Sequence, residues 1–212
     1  MGRFGEALTA ANLPKVDNHH RSASDKALVR RNVLEAVGPV GVFDAFAGSG
    51  EMFRRVWSEA PDYCGCDLRW FPDDPRLAFV ADNRRVLRCI DLAPFGIFDL
   101  DAYGSPWEQV AIIAARRLVK PGERVGLCLT DGSNMKLKMG DAPKAFAYLA
   151  GLRAHSTGLA SSHDELVDRA LGGLCRKMKS KLVRAWRARG KSASRVLYFG
   201  LVLEGLPLSE RG

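Results

Sequence analysis

The chain has 212 residues, 47% of them hydrophobic and 26% charged, with a formal net charge of +8. This length and composition predict one globular domain over residues 1–212, and no apolar run reaches the roughly 18–20 residues of a membrane span. Five cysteines, an odd number spread through apolar segments, argue against a disulfide framework and favour a reducing cytoplasm. The cysteines and the four histidines lack the spacing of a metal site, so we expect neither a bound metal nor a membrane partner.

The first predicted elements are a helix and a strand. Residues 1–21 are mixed in composition and are predicted to be partly irregular. A capping-box spacing at 22–25 begins a helix that the glycine and proline at 38–39 end. An apolar strand follows at about 40–46.

A glycine-rich turn, with Gly48 and Gly50, separates this strand from a helix that begins at Glu51. Glycines let a ligand approach the backbone closely, and a helix start offers free N–H groups. The dinucleotide fingerprint requires a third glycine where Phe53 stands, so an NAD-type turn is disfavoured. A plain loop between a strand and a helix is the alternative.

Acidic residues stand at the carboxyl ends of four predicted strands, and they are Asp44, Asp67, Asp82 and Asp101. Asp67 follows Asp44 by 23 residues, close to the interval at which nucleotide-binding folds place an acid after the second strand. Its carboxylate can accept both hydroxyls of a ribose, whereas Asp82 and Asn83 can hydrogen-bond an adenine edge. A loop aspartate without a ligand is the alternative for Asp67.

Helices alternate with nearly continuous apolar strands, among them a fourth strand at 95–101 and a fifth at 125–130. This pattern predicts a parallel sheet covered by helices on both faces, with ligands outside the carboxyl ends of the strands. A last strand at 195–203 is predicted to enter antiparallel at the sheet edge. The expected class is therefore α/β and Rossmann-like, although the further edge strand usual in that fold is not found in the sequence.

The positive charge is concentrated between Arg169 and Arg195, where ten basic and no acidic residues lie. That window carries +10, so the remainder of the chain sums to −2. We predict a basic helical insertion at about 161–191, before the last strand, that binds nucleic acid. Its candidate contacts are Lys179, Arg184 and Arg187. The alternative is a helix packed on the sheet with a solvated basic face, but such faces usually mix both signs of charge.

The segment Asp101-Ala102-Tyr103-Gly104-Ser105-Pro106 follows the fourth strand and indicates the chemistry. The Asp101 carboxylate and the Ala102 carbonyl oxygen can accept hydrogen bonds from an exocyclic amine. These bonds would direct the nitrogen lone pair and stabilise the positive charge that develops when the amine attacks a methyl sulfonium. Tyr103 can stack on the target base and hold its plane. The alternative is a turn cap at Asp101 and a core aromatic at Tyr103.

Two segments of the chain resemble motifs of known methyltransferases. Asp-x-Phe-x-Gly-x-Gly at 44–50 is similar to the first motif of class I S-adenosylmethionine (SAM)-dependent methyltransferases. Asp-Leu-Asp-Ala-Tyr-Gly-Ser-Pro at 99–106 resembles the fourth motif of the tRNA (guanine-N2)-dimethyltransferase family, Asp-x-Asp-Pro-Phe/Tyr-Gly-Ser-Pro. Residues 129–140 are similar to that family's Thr-Asp-x-x-x-Leu-x-Gly, with a longer spacing. The resemblance covers about residues 24–140.

The resemblance implies a SAM-dependent N-methyltransferase that modifies an exocyclic amine of tRNA, or of another RNA or DNA. It places the methionine part of SAM at the glycine turn, the ribose on Asp67 and the adenine amine on Asp82. The implied cofactor-binding residues are Asp44, Phe46, Gly48, Gly50, Asp67, Asp82 and Asn83. The implied catalytic residues are Asp101, Ala102 and Tyr103, and the implied substrate contacts are Tyr103, Pro106, Lys179, Arg184 and Arg187.

The chain departs from that family at two points. Ala102 stands where the family has proline, and we expect no counterpart of the family's large C-terminal domain. The substrate can therefore differ although the catalytic module is shared. A SAM-dependent enzyme for a small molecule or a protein is one alternative, and a non-catalytic nucleic-acid-binding protein on the same fold is another.

Overall fold

The computed structural model of the chain describes residues 20–69, 71, 76–152, 159–189 and 196–210. The irregular segment predicted at the N-terminus lies, up to residue 19, outside this part of the chain. The strands of the described part are β1 (Gly41–Asp44), β2 (Tyr63–Asp67), β3 (Leu77–Val80), β4 (Phe95–Leu100), β5 (Arg124–Asp131), β6 (Ser180–Arg189) and β7 (Leu197–Gly205). Its α-helices are α1 (His20–Val37), α2 (Glu51–Arg55), α3 (Asn83–Cys89), α4 (Trp107–Arg116), α5 (Asn134–Lys138), α6 (Lys144–Ala150) and α7 (His163–Lys177).

The strands form one sheet in the order β3-β2-β1-β4-β5-β7-β6. β1 pairs in parallel with β2 and β4, and parallel pairing continues from β2 to β3 and from β4 to β5. β7 is antiparallel to both of its neighbours. The prediction of a mostly parallel α/β sheet with an antiparallel last strand is confirmed. The predicted place of that strand is wrong, because β7 lies between β5 and β6 and not at the edge.

The basic helical insertion predicted at about 161–191 is helical only in its first half. α7 ends at Lys177, the chain turns at Lys179 with a φ of 51°, and residues 180–189 form β6. Leu182 and Trp186 are four residues apart, a spacing that fits one face of a helix. In β6 a bulge between Leu182 and Arg184 turns these two side chains to opposite faces of the sheet. Backbone pairing with β7 favours the strand. β6 is therefore the edge strand that the sequence did not reveal.

Helices cover both faces of the sheet, as predicted. On one face, α1 and α2 pack against Val42, Ile97 and Cys128. On the other face, α3, α4, α6 and α7 form the larger core with Phe43 and Phe98. Within the described ranges, no helix combines the length and the apolar character that crossing a lipid bilayer requires.

α1 packs closely on β5 and β7 because each of these strands has a glycine beneath the helix. A Cβ atom added at Gly200 of β7 would lie 2.8 Å from side-chain carbons of both Val29 and Val33. A Cβ atom at Gly126 of β5 would also press on Val33. Native packing does not tolerate such contacts, so a larger residue would push the helix away. α1 is thereby held across β5 and β7.

Candidate active site

The carboxyl ends of the parallel strands meet at one edge of the sheet, and the glycine turn after β1 lies there. Gly48 and Gly50 have φ values of 51° and 80°, a region that residues with a side chain rarely adopt. A Cβ atom at Gly50 would overlap the guanidinium of Arg76, which lies 4.9 Å from the ring centroid of Phe53. Burial lowers the pKa of Arg76. The turn therefore carries a cation that the sequence did not indicate.

Asp67 ties the glycine turn to the end of β2. Its Oδ2 accepts a hydrogen bond from the Gly48 N–H at 2.9 Å, and its Oδ1 accepts one from the Arg69 N–H at 2.9 Å. A carboxylate offers about four acceptor positions, so two remain for the hydroxyls of a ribose. The next residue, Leu68, is 71% exposed and places an apolar side chain beside this carboxylate. We call Gly48, Gly50 and Asp67 the cofactor cradle, and its assignment to SAM stays a prediction.

Asp44 lies beneath the turn and is almost fully buried. The Tyr63 hydroxyl donates to its Oδ2 at 2.9 Å, and the N–H of half-buried Phe46 donates to its Oδ1 at 3.1 Å. Burial, together with the nearby charge of Asp99, raises the pKa of Asp44 to about 8. Through these two bonds the Asp44 carboxyl group supports the first residues of the turn.

Asp82 and Asn83 make contacts within the protein. Asp82 begins α3 by accepting the Arg84 N–H at 2.9 Å, and it forms an ion pair with the Arg84 guanidinium at 2.6 Å. The buried Asn83 amide donates to the Ala45 carbonyl oxygen at 2.7 Å and accepts from Gln109 at 2.9 Å. These bonds join β1, α3 and α4. The predicted adenine contacts stay predictions, and the bonds of Asn83 favour a structural role.

A buried ion pair lies beneath the turn that follows β4. The Arg30 guanidinium of α1 donates to both oxygens of Asp99, at 2.6 and 2.7 Å, and Trp57 Nε1 donates to Asp99 at 2.7 Å. Arg30 is 2% exposed and Asp99 is fully buried. Sequence reasoning missed this pair, although one signal was present. Arg30 follows Ala23 and Ala27 on the apolar stripe of α1, where a cation needs a buried partner.

Asp101 is held in its ionised form by two cations from α1. Lys26 Nζ lies 2.8 Å from Asp101 Oδ1 and 2.9 Å from Oδ2, and Arg30 Nη2 lies 3.5 Å from Oδ2. Burial alone would raise the pKa of Asp101, but the charges of Arg30 and Lys26 hold it below its ordinary value. At neutral pH Asp101 is therefore a hydrogen-bond acceptor only.

The predicted catalytic and base-contacting residues lie together in one turn. Asp101 is followed by buried Ala102, by Tyr103 with 71% of its surface exposed, and by buried Pro106 at the start of α4. The Gly104 carbonyl oxygen accepts the N–H of the glycine at 132 at 2.5 Å, which joins this turn to the loop after β5. Their catalytic and base-contacting roles stay predictions.

The loop after β5 is fixed by a buried acid that the sequence analysis did not assign to the site. Asp131 accepts Trp107 Nε1 at 3.1 Å and the Ser133 N–H at 2.9 Å, and it lies 3.3 Å from His163 Nε2. Nearby buried oxygens have no hydrogen-bond partner among the described residues; they include Ser105 Oγ, Ser133 Oγ and Asn134 Oδ1. An unpaired buried polar atom costs about 1–3 kcal/mol, so these oxygens mark a place for a polar ligand or water.

The predicted nucleic-acid contacts do not share one surface. Lys179 lies in the turn between α7 and β6, whereas Arg184 and Arg187 lie on β6. Residues three apart on a strand point to opposite faces, so these two side chains diverge. Arg184 is exposed, while Arg187 pairs with Asp168 of α7 and lies 5.6 Å from the centroid of the Phe199 ring. The predicted continuous basic helix face is therefore wrong.

No protein-family profile and no curated protein sequence matches this chain. Among solved structures, it is similar to Trm1 from Pyrococcus horikoshii in complex with SAM, with a TM-score of 0.58 and 18% identity. That match covers 92% of this chain and 59% of the Trm1 chain, so this chain spans less than two thirds of its length.

Two further solved structures are similar to this chain. The N-methyltransferase NodS from Bradyrhizobium japonicum, in complex with S-adenosylhomocysteine, has a TM-score of 0.54 and 9% identity, over 93% of this chain and 94% of NodS. TYW2 from M. jannaschii, in complex with SAM, has a TM-score of 0.53 and 10% identity, over 92% of this chain and 80% of TYW2. The chain therefore has the fold of class I SAM-dependent methyltransferases, and the resemblance to this class, tRNA methyltransferases included, is confirmed at the level of the fold.

The raised pKa of Asp44 predicts a stability that depends on pH. The folded protein keeps a proton that the unfolded chain releases above its ordinary pKa of 3.8, so stability falls as the pH rises from there to about 8. Asp44→Asn cannot ionise and should escape this fall. Between pH 5 and pH 8 the parent should lose up to about 1.4 kcal/mol for each pH unit, so the melting temperature of Asp44→Asn, relative to the parent, should rise by a few degrees per unit for a domain of this size. A difference that is constant with pH would contradict the assignment.

The buried ion pair predicts a large loss when one partner is removed. Arg30→Met should lower the free energy of unfolding by about 3–5 kcal/mol because it leaves the Asp99 carboxylate buried without a cation. Denaturation by urea measures this loss. The double variant Arg30→Met/Asp99→Asn should recover part of it, and equal losses in the single and double variants would show that the pair is not formed.

Proposed function

We propose that this chain is a SAM-dependent methyltransferase that transfers a methyl group to an exocyclic amino group of a nucleic-acid base. The observation that carries the proposal is the turn after β4. There an ionised, half-buried Asp101 stands two residues before an exposed Tyr103, at the sheet edge that also holds the glycine turn. An acceptor and an aromatic ring at this edge fit a planar amine held against an electrophilic methyl group.

The residues of the cofactor cradle fit SAM. Gly48 leaves room at the backbone, and Asp67 keeps acceptor positions for the ribose hydroxyls. Gly50 leaves space for the guanidinium of Arg76, which supplies a positive charge suited to the amino-acid carboxylate. When bound, SAM supplies a methyl group activated by attachment to a sulfonium.

The turn after β4 orients and stabilises the attacking amine. Asp101 accepts one hydrogen bond from the amine, and the Ala102 carbonyl oxygen accepts the other, so the nitrogen lone pair is directed away from both. The negative charge of Asp101 stabilises the positive charge that develops on the nitrogen. A general base is not required before transfer because the N–H becomes acidic only when the new N–C bond forms. Tyr103 holds the plane of the base by stacking.

The net charge of +8 and the exposed ring of Tyr103 support a nucleic-acid substrate. The phosphates of the nucleic acid would be contacted by basic side chains such as Lys179, in the turn before β6, and Arg184, on β6. These two side chains lie apart on the surface, so they would contact different phosphates. RNA, with tRNA as the first candidate, and DNA both fit this description. All five cysteines are free, and we infer from them a reducing, cytoplasmic location.

A second candidate is N-methylation of an amine outside nucleic acid. It is favoured by the similarity to the N-methyltransferase NodS, of which this chain covers 94%. The same Asp101 carboxylate would serve such an amine, but the stacking surface of Tyr103 and the basic residues would have no assigned part. Transfer of radiolabelled methyl from SAM to mixed tRNA, single-stranded DNA, duplex DNA and small amines separates the two candidates. A protein that binds nucleic acid without SAM would show no transfer at all.

The cofactor assignment predicts a loss of affinity at Asp67. Asp67→Ala should weaken SAM binding by about 1–3 kcal/mol because charge-assisted hydrogen bonds to the ribose are lost. Isothermal titration calorimetry measures the change. Asp67→Asn is the matched control, since it retains one acceptor oxygen for the turn, and it should lose less. If a folded Asp67→Ala variant bound SAM as tightly as the parent, Asp67 would not belong to the cofactor site.

The amine mechanism predicts separate effects at Asp101 and Tyr103. Asp101→Ala should fold and bind SAM yet lose methyl transfer by several orders of magnitude, because both orientation and charge stabilisation are removed. Tyr103→Ala should weaken binding of the base by about 1–3 kcal/mol, whereas Tyr103→Phe should stay largely active since stacking needs only the ring. Single-turnover transfer, followed by digestion to nucleosides and identification of the product, measures both. A methyl group found on a ring carbon or a ribose oxygen would exclude the mechanism.

A further inference from the structure

We propose that Lys26 occupies, in the substrate-free protein, the place on Asp101 that the target amino group takes during the reaction. This inference rests on the proposed function. The Lys26 side chain ends in a primary ammonium, and its Nζ lies 2.8 and 2.9 Å from the two oxygens of Asp101. The chain itself thus places an N–H donor on both oxygens of the carboxylate assigned to receive the substrate amine.

The Lys26 contact lies where it can open. The side chains of Lys26 and Asp101 are 20% and 18% exposed, so water reaches both. Lys26 Nζ also lies 5.5 Å from the centroid of the Tyr198 ring, a weak contact at this exposure. A lysine side chain has a flexible four-carbon stem and a compact charge, so it can leave one acceptor without moving α1.

Arg30 provides a second cation for Asp101, so Lys26 is not needed to keep Asp101 ionised. Arg30 is buried and bonded to Asp99, and its Nη2 lies 3.5 Å from Asp101. When Lys26 leaves, Asp101 keeps a fixed cation beside it and remains partly open to water. The departure therefore does not strand a buried, unpaired carboxylate.

The charge of Lys26 opposes the reaction while it remains in place. The attacking nitrogen becomes positive as the N–C bond forms, and a second cation on the same carboxylate would reduce the stabilisation that Asp101 provides. Lys26 must be displaced first, and only a group that donates hydrogen bonds to the carboxylate can replace it. A carbonyl oxygen, which only accepts, cannot. Lys26 is therefore a specificity-determining residue that admits hydrogen-bond donors, such as the target amine, to Asp101.

The test compares the steady-state kinetics of Lys26→Met and Lys26→Arg with the parent, on whichever of mixed tRNA, single-stranded DNA and duplex DNA the parent methylates. Lys26→Met keeps the length of the side chain but cannot occupy Asp101. Its KM for the nucleic acid should fall by about tenfold, the effect of no longer breaking one charge-assisted hydrogen bond, with kcat undiminished. Lys26→Arg, which can bind both oxygens through a planar guanidinium, should have a KM no lower than that of the parent.

The outcomes that overturn the proposal are distinct from failure of the proposed function. A raised KM or a lowered kcat in Lys26→Met, with unchanged SAM affinity, would show that Lys26 contacts the substrate or supports Asp101. Failure of Lys26→Met to fold would show that the residue is structural. Absence of transfer by the parent and by both variants on all three nucleic acids would contradict the proposed function, and the inference about Lys26 with it.

Discussion

The bidentate bond between Arg30 of α1 and Asp99 of β4 is the interaction on which the geometry of the site depends. Its two parallel N–H···O bonds define the plane of the guanidinium, and Trp57 supplies a third donor to the same carboxylate. A buried ion pair adds little net stability compared with apolar packing, but it specifies where its partners lie. Lys26 precedes Arg30 by about one helical turn, so the same bond places Lys26 beside Asp101.

Asp99 and Asp101 have different roles because β4 places them at different depths in the protein. Asp99 lies inside the sheet and is completely enclosed, whereas Asp101 lies just past the strand end, where water reaches it. The enclosed acid is permanently paired, and the outer acid has an exchangeable partner. One cation, Arg30, serves both, which lets the outer carboxylate stay ionised at the mouth of the site.

The local patterns of the sequence predicted the fold class, the glycine turn, Asp67 and the turn after β4, because each is encoded by neighbouring residues. The pairs Arg30–Asp99 and Lys26–Asp101 join residues 69 and 75 positions apart, and no local spacing reveals such contacts. β6 was mistaken for helix because the spacing of Leu182 and Trp186 fits a helix face, and the bulge in β6 removes the regular alternation that marks a strand in a sequence. The same mistake placed Arg184 and Arg187 on one surface.

The packing of α1 on Gly200 limits the order in which the parts of the protein can fold. α1 precedes β7 in the chain, yet β7 is the strand that receives Val29 and Val33. The helix can therefore pack on Gly200 only after β7 has been synthesised. Because α1 carries the cations that face Asp99 and Asp101, the charges around these two acids reach their final places only when β7 is inserted.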